Sequence, residues 1–259
     1  MIDHADVRRM LMTMRAYTEA MRSLTMFTAE AIDLSRHHVD PDIRESKADL
    51  VDLLTPVVKA WCTDRAVEVT SLAIQVHGGM GYIEETGVAQ YLRDTRITPI
   101  YEGTNGIQAM DLVGRKLALK GGEPVRDLLA MMAALDPVLV RAGDEMLSIQ
   151  QPLGDGISTL IDATTWLFEN GLSDPLQALG AATPYLDLFG QVTGGWLLAR
   201  QALAAHRALG AGGGDEAFLR AKITTARFYM DNLLPLASGQ LGAVKSGAAG
   251  LFDIATDSF

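Results

Sequence analysis

The stretch PIYEGTNGIQ, Pro99 to Gln108, places a carboxylate where chemistry is conceivable. Glu102 follows Pro99, Ile100 and Tyr101 and precedes Gly103 and Gly106, just ahead of a helical pattern. An acid one or two residues before a helix start is stabilised in its charged form by the helix dipole. That makes Glu102 an ordinary helix-start acid, which the local residues by themselves favour. The other reading takes Pro99 to Tyr101 as a half-buried, strand-like approach. Burial would raise the carboxylate pKa and suit it to abstract a weakly acidic C–H proton. A second stretch, QVHGGMGY (Gln75 to Tyr82), has glycines at 78, 79 and 81. Such a run exposes backbone N–H groups and permits close approach by a phosphate. It follows a helix and lies in no βαβ unit, so it is not a dinucleotide fingerprint. On spacing alone a helix end and turn is the favoured reading.

Other reactive side chains are sparse. His77 has no second ligand at metal spacing on its helix, and His37 and His38 diverge from one another, so no metal site is expected. Cys62 is the only cysteine, which excludes an internal disulfide and a Cys-rich metal site. It fits a reducing, cytoplasmic location. Arg93 to Arg96 (RDTR) reads as a salt-bridged helix face.

The elements that must position these residues are helices. Val7, Met10, Leu11, Met14, Tyr17, Met21, Leu24, Thr28 and Ile32 recur every three or four residues, which predicts a helix from Ala5 to about His37. A second helical region begins at Ile43. Thr55 and Pro56 are expected to start a new helix there, as N-cap and first turn. That helix carries Val58, Trp61, Cys62, Val69, Leu72, Ala73 and Val76 to the glycines at 78 and 79. A short helix is predicted at Val88–Arg96, and another, capped by Thr104, to about Leu119. KGGEP, Lys120 to Pro124, is the clearest linker. Beyond it helices are predicted at Val125–Ser148, Gly156–Asn170, Pro184–Leu209 and Glu216–Leu234. The fold class is therefore all-α: a helical bundle over 1–120 and a second, bundle-like helical extension over 121–259.

Composition bounds the function. The 259 residues are 48% hydrophobic, enough for a large core. A net charge of −10 argues against a nucleic-acid surface, which needs a basic patch. No segment approaches the roughly 20 apolar residues of a membrane span. MIDHADVRRM carries charges from the start and has no apolar core of a signal peptide.

Three segments taken together resemble the C-terminal helical domain of the acyl-CoA dehydrogenases: HADVRRMLMTMRAYTEAMRSL, IQVHGGMGYIEETGVAQYLRD and TRITPIYEGTNGIQAMDLVGRKLA. Their order and spacing cover about His4 to Leu119. GGWLLARQALAA and AKITTARFYMDNLLP resemble the helical extension of the subgroup that includes 3-methylmercaptopropionyl-CoA dehydrogenase. The resemblance implies α,β-dehydrogenation of an acyl-CoA thioester with FAD as cofactor. Glu102 matches the glutamate of the family's YEGT motif, the base that takes the α-proton while hydride passes to the flavin. Gly103 and Tyr101 would lie at the substrate, and Thr104 would touch FAD. Gln75, Gly78 and Gly79 match a Gln-x-x-Gly-Gly segment that meets the adenine half of an FAD held mainly by a neighbouring subunit. This implies a homo-oligomer, dimer or tetramer, sharing the FAD site, with electron-transfer flavoprotein as electron acceptor.

Two departures accompany the match. Gly106 stands where many relatives carry a glutamine, so one FAD contact is missing or supplied otherwise. The family's N-terminal helical and middle β-domains, with an arginine-containing segment, have no counterpart in these residues, so the expectation is the C-terminal piece of a longer enzyme, inactive alone. A non-catalytic helical oligomerisation or binding module derived from the family is the alternative, and a flavin monooxygenase or nitroalkane-oxidase-like relative on the same fold a third. YEGT favours the dehydrogenase, because a monooxygenase does not need that base.

Overall fold

The computed structural model describes residues 1–171 and 173–259, and the described residues form helices and turns with no strand. Helix α1 (Ala5–His37) and helix α2 (Pro41–Val76) make a long hairpin. Its turn is set by sequence: Asp40 caps α2, its Oδ1 accepting from the Asp42 N–H at 2.9 Å, and Pro41 takes the first helical position. Two short elements, α3 (Gly79–Tyr82) and α4 (Val88–Arg96), fold back along α2. They lead to α5 (Asn105–Asp111). The extension contains α6 (Glu123–Ala133), α7 (Asp136–Arg141), α8 (Asp144–Asn170), α9 (Pro175–Gly210), α10 (Glu216–Phe228) and α11 (Pro235–Ser246).

Helix α9 is the axis of the molecule. It packs against α1, α2, α5, α8, α10 and α11, and every residue from Leu188 to Ala199 is buried. The close approach depends on Gly190. A Cβ there would lie 2.2 Å from Cγ of Trp61, so only glycine lets the α2 indole lie on the α9 backbone. Trp61 is fully buried and meets Tyr17 edge-on, with ring centroids 6.2 Å apart, and Tyr17 meets Tyr229 at 6.1 Å. One contiguous core therefore joins residues on both sides of Lys120.

Several expected boundaries are corrected. Pro56 starts no helix: α2 runs unbroken through it, and the Thr55 hydroxyl donates back to the Val51 carbonyl instead of capping. Proline inside a helix costs about 3 kcal/mol. Leu53, Leu54, Val57, Ala60 and Trp61 are all fully buried around it, and each large side chain returns roughly 1.5–3 kcal/mol. Pro152 and Pro184 are likewise interior, so α8 and α9 begin earlier than Gly156 and Pro184. The single helix expected at Val125–Ser148 is three segments, broken ahead of Pro137 and at Gly143, which sits at φ 101°. The helices expected to reach Leu119 and Leu234 instead pass into π-turns at Leu112–Lys116 and Tyr229–Leu233. Helix α11 was not expected; its glycines at 239 and 242 blur the pattern. The Lys120 linker is tied down rather than free. Its ammonium pairs with Glu45 at 2.5 Å and Asp49 at 2.7 Å, which holds the Glu45 carboxyl below its ordinary range.

Candidate active site

Glu102 sits in a compact loop, not a strand-like approach. The Ile100 and Tyr101 N–H groups donate to the Ile97 carbonyl at 2.9 and 3.1 Å, which makes successive turns. The Asn105 N–H then donates across the loop to the Pro99 carbonyl at 3.0 Å. Closing so short a ring forces the backbone into left-handed geometry at two consecutive residues, Glu102 (φ 55°) and Gly103 (φ 84°). Gly103 adopts this without strain, whereas a glutamate there costs about 1–2 kcal/mol. The expected burial of Glu102 is not present: Glu102 and Tyr101 are exposed, as are the neighbouring Ile100, Ile107 and Met110. Any desolvation of this carboxylate has to come from what covers that apolar rim.

The strained loop is held by α2. Lys59 Nζ donates to the Gly103 carbonyl and to Asn105 Oδ1, both at 2.8 Å. Asn105 Nδ2 reaches the Ala60 carbonyl at 3.0 Å, Thr63 Oγ1 at 2.9 Å and Asp64 Oδ1 at 2.7 Å. Lys59 and Thr63, like Ala60 and Asp64, lie four residues apart, about one helical turn, so two adjacent rows of α2 meet the loop. Burial pushes the Asp64 carboxyl up, and the Asn105 amide partly offsets this. The next residue, Arg65, carries the network onward. It pairs with Glu68 at 2.8 Å and with Asp187 of α9 at 3.4 Å, and it lies over the Tyr17 ring at 5.4 Å. The Glu68 carboxyl is also pushed up by burial, with Arg65 opposing. Sequence reasoning missed Lys59, Asp64 and Asn105. The Asn after EGT was the available signal, since asparagine serves loops by bonding nearby backbone.

Thr104 stands at the N-cap of α5, as expected, but its hydroxyl makes no capping bond; the helix starts through its carbonyl, which accepts from Gln108 N–H at 3.0 Å. The side chain stays available to a ligand. The glycine turn lies elsewhere. Gly78 ends α2 at φ 62°, and its N–H is turned back onto the Gln75 carbonyl at 3.0 Å. Gln75, Gly78 and Gly79 are exposed, and a Cβ on either glycine would meet nothing within 4 Å. That open surface has room for a bulky group close to the backbone. Gly81 is different: a Cβ there would strike the Ile74 carbonyl at 2.3 Å, so its role is packing. Gln75 lies 16 residues beyond Lys59, which is about 24 Å along the helix axis. The two candidate clusters therefore cannot act on one atom. They belong to one site only through an extended ligand or through different copies of the chain.

Other candidates drop out. The Cys62 thiol is pushed up to about 12 by burial, with a Thr25 hydrogen bond opposing, so it stays protonated and is a poor nucleophile. His77 is engaged through Nδ1 with the Ala73 carbonyl at 2.7 Å. Among the described residues no three His, Cys, Asp or Glu side chains are placed to hold a metal ion, and no helix is long and apolar enough to cross a membrane.

Comparison with known proteins decides the family. Residues 1–117 match the model of the acyl-CoA dehydrogenase C-terminal domain, and residues 125–255 match that described as acetyl-CoA dehydrogenase C-terminal like. The chain belongs to the acyl-CoA dehydrogenase family. It is 44% identical over 92% of its length to 3-methylmercaptopropionyl-CoA dehydrogenase of Ruegeria pomeroyi, covering 40% of that protein. It is 35% identical over its whole length to a butyryl-CoA dehydrogenase of Syntrophomonas wolfei, covering 42%. The chain thus spans about 40% of the length of these dehydrogenases. An acyl-CoA dehydrogenase from Bacillus anthracis, complexed with FAD, shares the fold with a TM-score of 0.61 at 20% identity, over 95% of this chain and 43% of that one. Caenorhabditis elegans ACDH-11, in complex with C11-CoA, does so with a TM-score of 0.65 at 19% identity, over 93% and 39%.

Proposed function

We propose that this chain forms the C-terminal helical part of an FAD-dependent acyl-CoA dehydrogenase in which Glu102 is the base for the α-proton. The observation that carries this reading is the left-handed backbone at Glu102, held by Lys59 and Asn105. A non-glycine residue kept in a costly conformation by hydrogen-bonded anchors marks a side chain whose direction matters. The carboxylate takes the α-proton of the acyl thioester, and the C–H electron pair becomes the second bond of the forming Cα=Cβ double bond. FAD, when bound, accepts the hydride that leaves the β-carbon. Tyr101 and Gly103 border the thioester end, and the exposed Ile100, Tyr101 and Ile107 supply apolar surface that a bound acyl chain covers. That covering excludes water from the space between Glu102 and the α-carbon.

Thr104, with its uncommitted hydroxyl, fits a flavin contact beside the base. Gln75, Gly78 and Gly79 fit the adenine side of an FAD, on their open surface. Their separation of about 24 Å from the loop anchor favours a homo-oligomer in which each flavin meets two copies of the chain. The division at 120/121 separates the unit bearing these residues from an extension that braces α2 through α9. Electron-transfer flavoprotein as acceptor, and a reducing compartment for Cys62, complete the reading.

The test is Glu102→Gln in the complete dehydrogenase that carries this chain, assayed with acyl-CoA and an artificial electron acceptor. Turnover falls by about 10²–10⁴ while flavin content is kept. Wild-type turnover in that variant removes Glu102 from the role.

A further inference from the structure

One cavity shares no residue with the Glu102 loop or the Gly78 turn. It is a groove of about 1160 Å³ between α1, α9 and α10. One side is apolar, with Met26, Phe27, Leu197 and Phe218; Met26 is 69% exposed and Phe218 55%. The other is polar and built. Glu19 accepts from Arg15 Nε at 3.0 Å and from Lys222 Nζ at 2.9 Å, so both of its oxygens are committed. Lys222 also donates to Gln201 Oε1 at 3.1 Å, and the Gln201 amide donates to the Ser23 hydroxyl. This chain of bonds ties the three helices together across the groove.

Two guanidiniums are left over. Arg22 and Arg200 line the same groove, and among the described residues neither has a carboxylate within ion-pair distance; Glu30, the other acid of the lining, pairs with neither. Arg200 lies over Phe27 at 5.6 Å and Trp196 at 4.9 Å. Such a position occupies the flat face of a guanidinium and leaves its in-plane N–H donors unspent. The lining holds four cations against two acids in a protein of net charge −10. Surplus positive charge beside exposed apolar side chains selects a ligand with an anionic head and an apolar tail.

We propose that this groove binds an amphipathic anion, its carboxylate or phosphate-ester head held by Arg22 and Arg200 and its alkyl chain laid along Met26, Phe27 and Phe218. The assignment is independent of the role of Glu102.

Titration calorimetry of the 259-residue chain with octanoate, decanoate, decyl phosphate and decanol tests it. Decanoate and decyl phosphate bind at one equivalent, and whichever binds more tightly names the head group. Each added methylene strengthens binding about fourfold. Arg22→Gln and Arg200→Gln each weaken decanoate about tenfold. Ala204→Trp, which fills the groove, abolishes binding, and Lys47→Gln outside it changes nothing. Circular dichroism confirms that each variant is folded. Three results overturn the proposal: decanol binding as tightly as decanoate, the double Arg variant binding decanoate like wild type, or no saturable binding below about 1 mM. Retained binding in a folded Ala204→Trp variant also overturns it, because the ligand then sits elsewhere.

Discussion

Asn105→Ala removes the pin that holds the Glu102 loop on α2. Its amide nitrogen donates to Ala60, Thr63 and Asp64, and its oxygen accepts from Lys59. Two of these partners are charged, and hydrogen bonds to charged groups are worth about 1.5–3 kcal/mol each. Asn105 is only half buried, so water replaces part of that and a net loss of about 2 kcal/mol is expected. The opposing strain of left-handed Glu102 is about 1–2 kcal/mol. The loop therefore goes from clearly held to nearly balanced between its closed form and relaxed alternatives. The assay is hydrogen exchange at the Tyr101 and Asn105 amides, which donate to Ile97 and Pro99 within the loop. A loss of about 2 kcal/mol in local opening free energy speeds their exchange roughly thirtyfold. Amides in the middle of α9 serve as the internal reference and change little. Unchanged exchange at both loop amides in the variant would refute the claim that Asn105 and Lys59 hold the conformation of Glu102.

Three further outcomes follow from the same contacts. Gly190→Ala drives a Cβ into the Trp61 indole at 2.2 Å, so urea denaturation is expected to show a loss of at least about 1–3 kcal/mol. Gly103→Ala is strained at φ 84° and meets Gln108 Nε2 at 3.1 Å; calorimetry is expected to show a lower Tm, whereas Gly79→Ala, in open space, leaves it within about 1 °C. Burial raises the folded-state pKa of Glu68, so the native protein binds that proton more tightly than the unfolded chain. The ionised form thus costs stability at neutral pH, and the cost fades as pH falls through the raised pKa. Glu68→Gln is expected to raise Tm slightly at pH 7, with the gain narrowing toward pH 5; a gain that widens on acidification would reverse the sign of the argument.

The helical class and the limits of α1 and α4 were legible because their apolar residues repeat cleanly and their ends carry turn residues. The boundaries drawn at Pro56 and Pro184, and the gap expected around Pro152, failed for one physical reason. A proline's missing hydrogen bond is a local cost, and in α2, α8 and α9 it is outweighed by side chains buried from distant segments. The same non-local packing hid the role of Gly190, which reads as one glycine among several until Trp61 lies against it. At the candidate site, YEGT pointed to Glu102 only through resemblance; the local pattern favoured a plain helix-start acid. The conformation of Glu102 could not be read because it is imposed by Lys59 and Asp64, some 40 residues earlier on α2. The distance between the Gly78 turn and the Glu102 loop was equally hidden, since it follows from α2 being continuous between them.

The central claim is that Glu102 takes the α-proton. Its most direct measurement is deuterium incorporation at the α-carbon of a bound acyl-CoA in D₂O, followed by mass spectrometry in the complete dehydrogenase. Wild type is expected to exchange that position, and Glu102→Gln to exchange it about 10²–10⁴ times more slowly. Exchange at the wild-type rate in a folded, flavin-containing Glu102→Gln protein would contradict the account.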